Sequence, residues 1–182
     1  MDYKILKDGN YLERHLFSLY RWMREKMDGI RAYWDGEKLF SKRGKQLRSP
    51  AWFLKGFPIG VKLDGELWIG RGAFEKLMAN LSSYGDHRWQ DVNYFIFDLI
   101  NDMDFEERME ELAKLQLPNH VRLVSHRKCA GNQNLIAYLN DIVQSGGEGI
   151  SIIKPHSKYL AQRSNTVLEV KVFYPWKESY LF

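Results

Sequence analysis

The chain has 182 residues, enough for one domain with its own core and few for two. Hydrophobic residues make up 45% and charged residues 27%, with 6 Trp, 10 Tyr and 10 Phe, which excludes a disordered or collagen-like chain. The net charge of +4, from 27 Lys and Arg against 23 Asp and Glu, favours polyanion partners without requiring them.

The first segment, Tyr11 to Trp22, is apolar at mixed spacing and reads as a helix or an extended lead-in. GIRAYW and EKLFSK flank Asp35-Gly36, a strong hairpin signal. GVKLDGELWIG alternates, with Val61, Leu63, Leu67 and Ile69 pointing one way and Lys62, Asp64, Glu66 and Trp68 the other. Phe74, Leu77, Met78 and Leu81 share one helical face. So do Phe105, Met109, Leu112 and Ala113, with Glu106, Glu107, Glu110 and Glu111 outside. The strongest helical stripe is Leu135, Ile136, Leu139, Ile142 and Val143, ended by Gly146-Gly147. VNYFIFDLI, HVRLVS, GISIIK and VLEVKVF are strand candidates. The mixture predicts an α+β fold of mainly antiparallel sheets flanked by helices.

No internal repeat, low-complexity tract or linker interrupts the chain, so a single domain over residues 1–182 is expected. No apolar run approaches the ~20 residues of a spanning helix, and MDYKILKDGN lacks a signal-peptide pattern, so no membrane partner is expected. The one cysteine, Cys129, cannot form an internal disulfide and reads as an inert, partly buried thiol in a reducing, intracellular setting.

Charged groups sit on several strand-like stretches. Glu25, Lys26, Asp28 and Arg31 crowd around Gly29. Asp64 and Glu66 share a strand face, Glu148 follows a double glycine, and Glu169 and Lys171 share a face of the last strand. Singly, each is the solvated face of a half-buried strand. Together they supply two lysines and several carboxylates, the inventory for binding a metal-nucleotide and attacking its phosphate.

Their order is specific. KMDGIR (Lys26 to Arg31) resembles the K-x-D-G-x-R nucleophile motif of the covalent nucleotidyltransferases: ATP-dependent DNA ligases, RNA ligases and capping enzymes. LDGEL (Leu63 to Leu67), YFIFDL (Tyr94 to Leu99), GGEGI (Gly146 to Ile150) and LEVK (Leu168 to Lys171) follow in the family's order. With SPAWF and GGEGISIIKPHSKYLAQRS, the chain resembles the adenylation domain of small bacterial-type ATP-dependent DNA ligases from Arg21 to Phe173. The resemblance implies an ATP-grasp-like nucleotidyltransferase fold, ATP and Mg²⁺ as cofactors, and nicked double-stranded DNA as partner of a monomeric protein.

It also implies residue roles. Lys26 attacks the α-phosphate of ATP to give lysyl-AMP, and Mg²⁺ with the nearby Lys171 would lower its pKa from the ordinary ~10.4. Lys171 also neutralises charge on the α-phosphate. Arg31 holds a phosphate or the nucleic-acid 5′ end. Glu66 bonds the ribose or adjusts the metal shell, with Asp64 structural. Phe97 stacks on adenine, where plain core packing is the alternative. Glu148 is the best metal ligand. Glu25 lies beside the nucleophile and is assigned to the nucleotide, and Lys42, Arg43 and Arg163 to nucleic acid.

Two positions depart from the ligase pattern. Glu169 stands where ligases carry the first lysine of Lys-x-Lys, which sets a carboxylate near the triphosphate. Lys42 stands where Ser-Arg-x-Gly would place an arginine, with Arg43 beside it in SKRG. Ligases add an OB-fold domain after the adenylation domain. Here only the eleven residues after Lys171 remain, so none is expected within 1–182, and the chain is then an excised domain, one that relies on a partner for the OB fold, or one that has lost sealing. The alternatives are an RNA ligase adenylation domain and a catalytically disabled nucleotide- or nucleic-acid-binding module derived from a ligase. Trp52, Trp89 and Trp176 are candidates for base stacking, or for ordinary core and interface positions. FYPWKESYLF would cap the domain.

Overall fold

The computed structural model describes residues 3–7, 10–11, 22–82, 86–162 and 164–172. Most of the Tyr11–Trp22 lead-in, Arg163, Trp176 and the FYPWKESYLF tail lie outside them. The chain divides into two compact units: Met1–Lys26 with His126–Pro155 and Gln162–Phe182, and Met27–Ser125 with His156–Ala161. No helix among the described residues is long and apolar enough to cross a membrane.

The first unit holds strands β1 (Tyr3–Lys7), β2 (Asn10–Tyr11), β3 (Trp22–Lys26), β9 (Arg127–Lys128), β10 (Gly149–Ile153) and β11 (Val167–Val172), with helix α4 (Asn132–Gln144). The strands form one antiparallel sheet in the order β2-β1-β11-β10-β3-β9. Alternation sends Met23, Ile150, Ile152, Leu168 and Val170 to one face, where Leu135, Tyr138, Leu139 and Ile142 of α4 complete a core. Ile136 and Val143 flank it, so the predicted α4 stripe is the packed face, widened by Tyr138. The other face carries Lys26, Ser151, Glu169 and Lys171. Register aligns them: Gly149 pairs with Lys26, and Ser151 with both Glu169 and Arg24.

The second unit holds β4 (Ile30–Trp34), β5 (Leu39–Ser41), α1 (Ala51–Leu54), β6 (Leu63–Trp68), α2 (Phe74–Ser82), β7 (Asn93–Leu99), α3 (Phe105–Ala113) and β8 (Val121–Leu123), with a 3-10 turn at Asp86–Trp89. Its sheet runs β5-β4-β6-β7-β8, antiparallel except for the parallel β7–β8 pair. The predicted hairpin is β4–β5. Its turn spans residues 35–38, where Asp35 Oδ1 accepts the amides of Glu37 (2.8 Å) and Lys38 (2.7 Å). The core includes Trp34, Phe53, Phe57, Leu63, Leu67, Trp89, Tyr94, Ile96 and Leu112.

Several expectations are corrected here. Phe74 and Met78 of α2 are exposed, and Leu77 is the buried anchor of that helix. Ala113 of α3 is exposed, while Arg108, from the polar positions, is fully buried beside Phe105 and Leu112. Asp64 is fully buried rather than solvated. Of the two alternatives for the tryptophans, Trp89 takes the core position, and Trp52 is partly exposed, edge-on to Phe53 and His120.

Candidate functional site

In the first unit, three separate segments converge on one carboxylate. Lys26 ends β3, Glu148 immediately precedes β10, and Lys171 lies on β11. The Nζ groups of Lys26 and Lys171 both donate to Glu148, each to a different oxygen. Burial disfavours the ionised Glu148 carboxyl. The hydrogen bonds from Lys171 and Lys26, reinforced by their charges, outweigh that and hold it below the ordinary carboxylate range. Gly149 explains part of the local sequence, because a Cβ there would lie 2.3 Å from the Val170 carbonyl and press on Lys171. Glu25 is not brought to this cluster. It alternates with Lys26 on β3 and faces Gly147, whose Cβ would come 3.1 Å from its Oε1.

In the second unit, the face of the sheet away from its core gathers Arg31 and Tyr33 of β4, Asp64, Glu66 and Trp68 of β6, and Phe95 and Phe97 of β7. Arg31 is clamped in bidentate fashion: its Nε donates to Asp64 Oδ1 at 3.0 Å and its Nη2 to Oδ2 at 2.5 Å. Its guanidinium lies 5.1 Å from the Tyr33 ring centre and 5.5 Å from that of Phe97. Phe97 is half-buried on this polar face and is not part of the core, which disfavours the plain packing alternative. Glu66 pairs across the sheet with Arg31. Gly29, the glycine of KMDGIR, lies directly over β6: a Cβ there would meet the Leu67 carbonyl at 2.4 Å and Glu66 Cγ at 2.7 Å. A glycine at that motif position keeps β4 and Glu66 in place.

Lys42 and Arg43 stand exposed on the turn after β5, where Gly44 N donates back to the Ser41 carbonyl at 2.8 Å. Among the described residues no group of three or more His, Cys, Asp or Glu is arranged to hold a metal. Glu148 therefore fits Mg²⁺ only as one protein carboxylate among phosphate and water oxygens, which is the usual way that ion is bound beside a nucleotide. Cys129 is a free, partly buried thiol.

Sequence reasoning missed two residues. Tyr159 donates to Asp64 Oδ2 at 2.9 Å. Buried Arg108 donates from Nε (2.6 Å) and Nη2 (3.1 Å) to Asp98, and from Nη1 to the carbonyls of Met103 (2.7 Å) and Ser157 (2.8 Å). The clue was HSKY in PHSKYLAQRS, a polar stretch with no periodicity of its own.

No protein-family model matches the chain. A DNA ligase of Haemophilus influenzae is 30% identical over 156 residues, covering 82% of this chain and 57% of that protein. A structure from a study of Lig E DNA ligases, described as binding DNA with a minimal scaffold, superposes with a TM-score of 0.78 at 33% identity, over 84% of this chain and 62% of that one. The fold is that of the DNA ligase nucleotidyltransferase domain. Chlorella virus DNA ligase-adenylate shares that ligase fold at 20% identity, with a TM-score of 0.71 over 87% of this chain and 64% of the viral one. The chain is thus similar in sequence and fold to these DNA ligases over more than four-fifths of its own length and spans somewhat over half of theirs.

Proposed function

We propose that the chain is the adenylation domain of an ATP-dependent DNA ligase, and the observation that carries this reading is the Lys26–Glu148–Lys171 cluster built from three motif segments. The Lys26 amine, once it has given up a proton to solvent, attacks the α-phosphorus of ATP. A nitrogen–phosphorus bond forms, the bond to the β-phosphate oxygen breaks, and pyrophosphate leaves with the electron pair. Lys171 counters the negative charge that develops on the α-phosphate oxygens. Glu148 orients both ammonium groups and is the carboxylate that would hold Mg²⁺, which when bound supplies neutralising charge to the phosphates.

The second unit's polar face carries candidate nucleotide contacts of its own. Phe97 offers a half-buried ring for adenine, and Glu66 a carboxylate for ribose hydroxyls or the metal's water shell. Arg31, with two nitrogens committed to Asp64, presents Nη1 to a phosphate oxygen. Transfer of AMP from Lys26 to the 5′-phosphate of a nick completes the half-reaction, with Lys42, Arg43 and Arg163 on the DNA backbone. The domain acts as a monomer inside the cell, where the Cys129 thiol stays reduced.

The deciding experiment incubates the chain with Mg²⁺ and ATP labelled at the α-phosphate, then resolves it on a denaturing gel. A labelled band present in the native chain and absent in Lys26→Ala, and chased by nicked DNA rather than nicked RNA, is the expected result. Nucleotide binding without a labelled band would sink the enzymatic reading in favour of a binding module.

A further inference from the structure

We infer that Tyr159 is a positioning residue for Arg31, acting through the buried carboxylate of Asp64; this rests on the reading of Arg31 as a phosphate-holding group. Asp64 is completely buried, so each of its acceptor positions needs a donor. Arg31 supplies two and the Tyr159 hydroxyl a third, at 2.9 Å on Oδ2, the oxygen that also takes Arg31 Nη2. With Tyr159 in place, Oδ2 takes a second donor besides Arg31 Nη2, which steadies the carboxylate and, through it, the guanidinium beside Phe97 and Tyr33. Burial first, and the Asp64 charge after it, push the Tyr159 phenol up, which keeps it a donor at any working pH.

The position of Tyr159 is itself imposed. His156–Ala161 is the short stretch in which the chain, between β10 and β11, belongs to the second unit. Four successive residues of it are anchored there. His156 N donates to Glu106 Oε2 (2.9 Å), the Ser157 carbonyl accepts from Arg108 Nη1 (2.8 Å), Lys158 Nζ pairs with Asp104 (2.8 Å), and Tyr159 reaches Asp64. Four successive ties fix this stretch, so the place of Tyr159 does not hang on any one exposed contact.

The test is a double-mutant cycle on Tyr159→Phe and Arg31→Lys, read as single-turnover self-adenylation against ATP concentration and AMP transfer to nicked DNA against DNA concentration, with thermal unfolding alongside. Tyr159→Phe keeps the ring and removes only the donor. It is expected to lower the same rate or affinity constant that Arg31→Lys lowers, by about tenfold, the worth of a hydrogen bond to a charged group. The double variant is expected to be no worse than Arg31→Lys alone. Lys158→Ala, which unties an exposed anchor and leaves the hydroxyl in place, is expected to match the parent. Wild-type rates in Tyr159→Phe beside an impaired Arg31→Lys overturn the proposal and leave the Arg31 reading standing. So do losses that multiply in the double variant, or a Lys158→Ala loss as deep as that of Tyr159→Phe. Wild-type behaviour of Arg31→Lys in both assays overturns the Arg31 reading, and this proposal with it.

Discussion

Glu148 accepts hydrogen bonds from two lysines at once, so its charge does more than fill a position. Glu148→Gln keeps the shape and removes the charge on which two ammonium groups converge. Self-adenylation is expected to fall about 10²-fold or more, the scale of losing one preorganised electrostatic group. The same residue sets an acid limit. Its folded pKa is below the unfolded ~4.3, so its stabilising contribution is complete above that value and is lost as pH falls through the folded one. Melting temperature measured from pH 6 to pH 2 should therefore drop more steeply for the parent than for Glu148→Gln. Glu169 is exposed on the strand face that carries Lys171, the residue proposed to counter charge on the α-phosphate. Glu169→Lys is expected to speed self-adenylation about fivefold, as reversing a partly screened charge should; an unchanged rate would show that Glu169 lies too far from the nucleotide to matter. Lys26, Glu148 and Lys171 were legible because each lies in a short motif with its own local signal. That Glu25 turns to the opposite face from Lys26 was not legible, because WMREK has no turn-bounded alternation to mark β3 as a strand.

At the level of elements, α3 is the instructive case. Its start is held by the Asp104 amide, which donates to Glu107 Oε2 at 2.8 Å, and its apolar stripe through Phe105, Met109 and Leu112 was readable. That its Arg108 turns inward was not, because the partners that justify burying a guanidinium come from β7, from the loop before α3 and from His156–Ala161. Arg108→Met is expected to destabilise the protein by about 3–5 kcal/mol, since it takes the cationic partner from Asp98 and a donor from each of two carbonyls. Urea unfolding would measure this, and a change under about 1 kcal/mol would mean that water replaces the guanidinium freely. Polar-face residues of β6 were harder still to read. Strict alternation correctly paired Asp64 with Glu66 and Trp68, and it wrongly implied that the shared face was solvated. A face lined by Tyr33, Phe95 and Phe97 excludes water from Asp64, and only the register of β4, β6 and β7 brings those rings together.

Across the whole molecule, a net charge of +4 is too modest to hold DNA by itself, and affinity depends on where the cations sit. Lys42→Ala and Arg43→Ala are each expected to flatten the slope of log affinity for nicked duplex against log salt by about one, with little effect on self-adenylation. An unchanged slope would remove that turn from the DNA-binding surface. The α+β class and the antiparallel majority were legible from composition and alternation. The division into two sheets was not, because β1, β2 and β9 are too short or too polar to register as strands, and sheet membership is decided by pairings far apart in the chain.

Lys26 and Glu148 are separated by 122 residues. At roughly 5 to 20 residues per second, a ribosome needs on the order of ten seconds to travel between them. The segment Met27–Ser125, most of the second unit, is synthesised in that interval, while β3 has neither β10 nor β9 to pair with. For that interval the strand that ends in Lys26 is an unsatisfied edge on a nascent chain, and chaperone dependence should concentrate there.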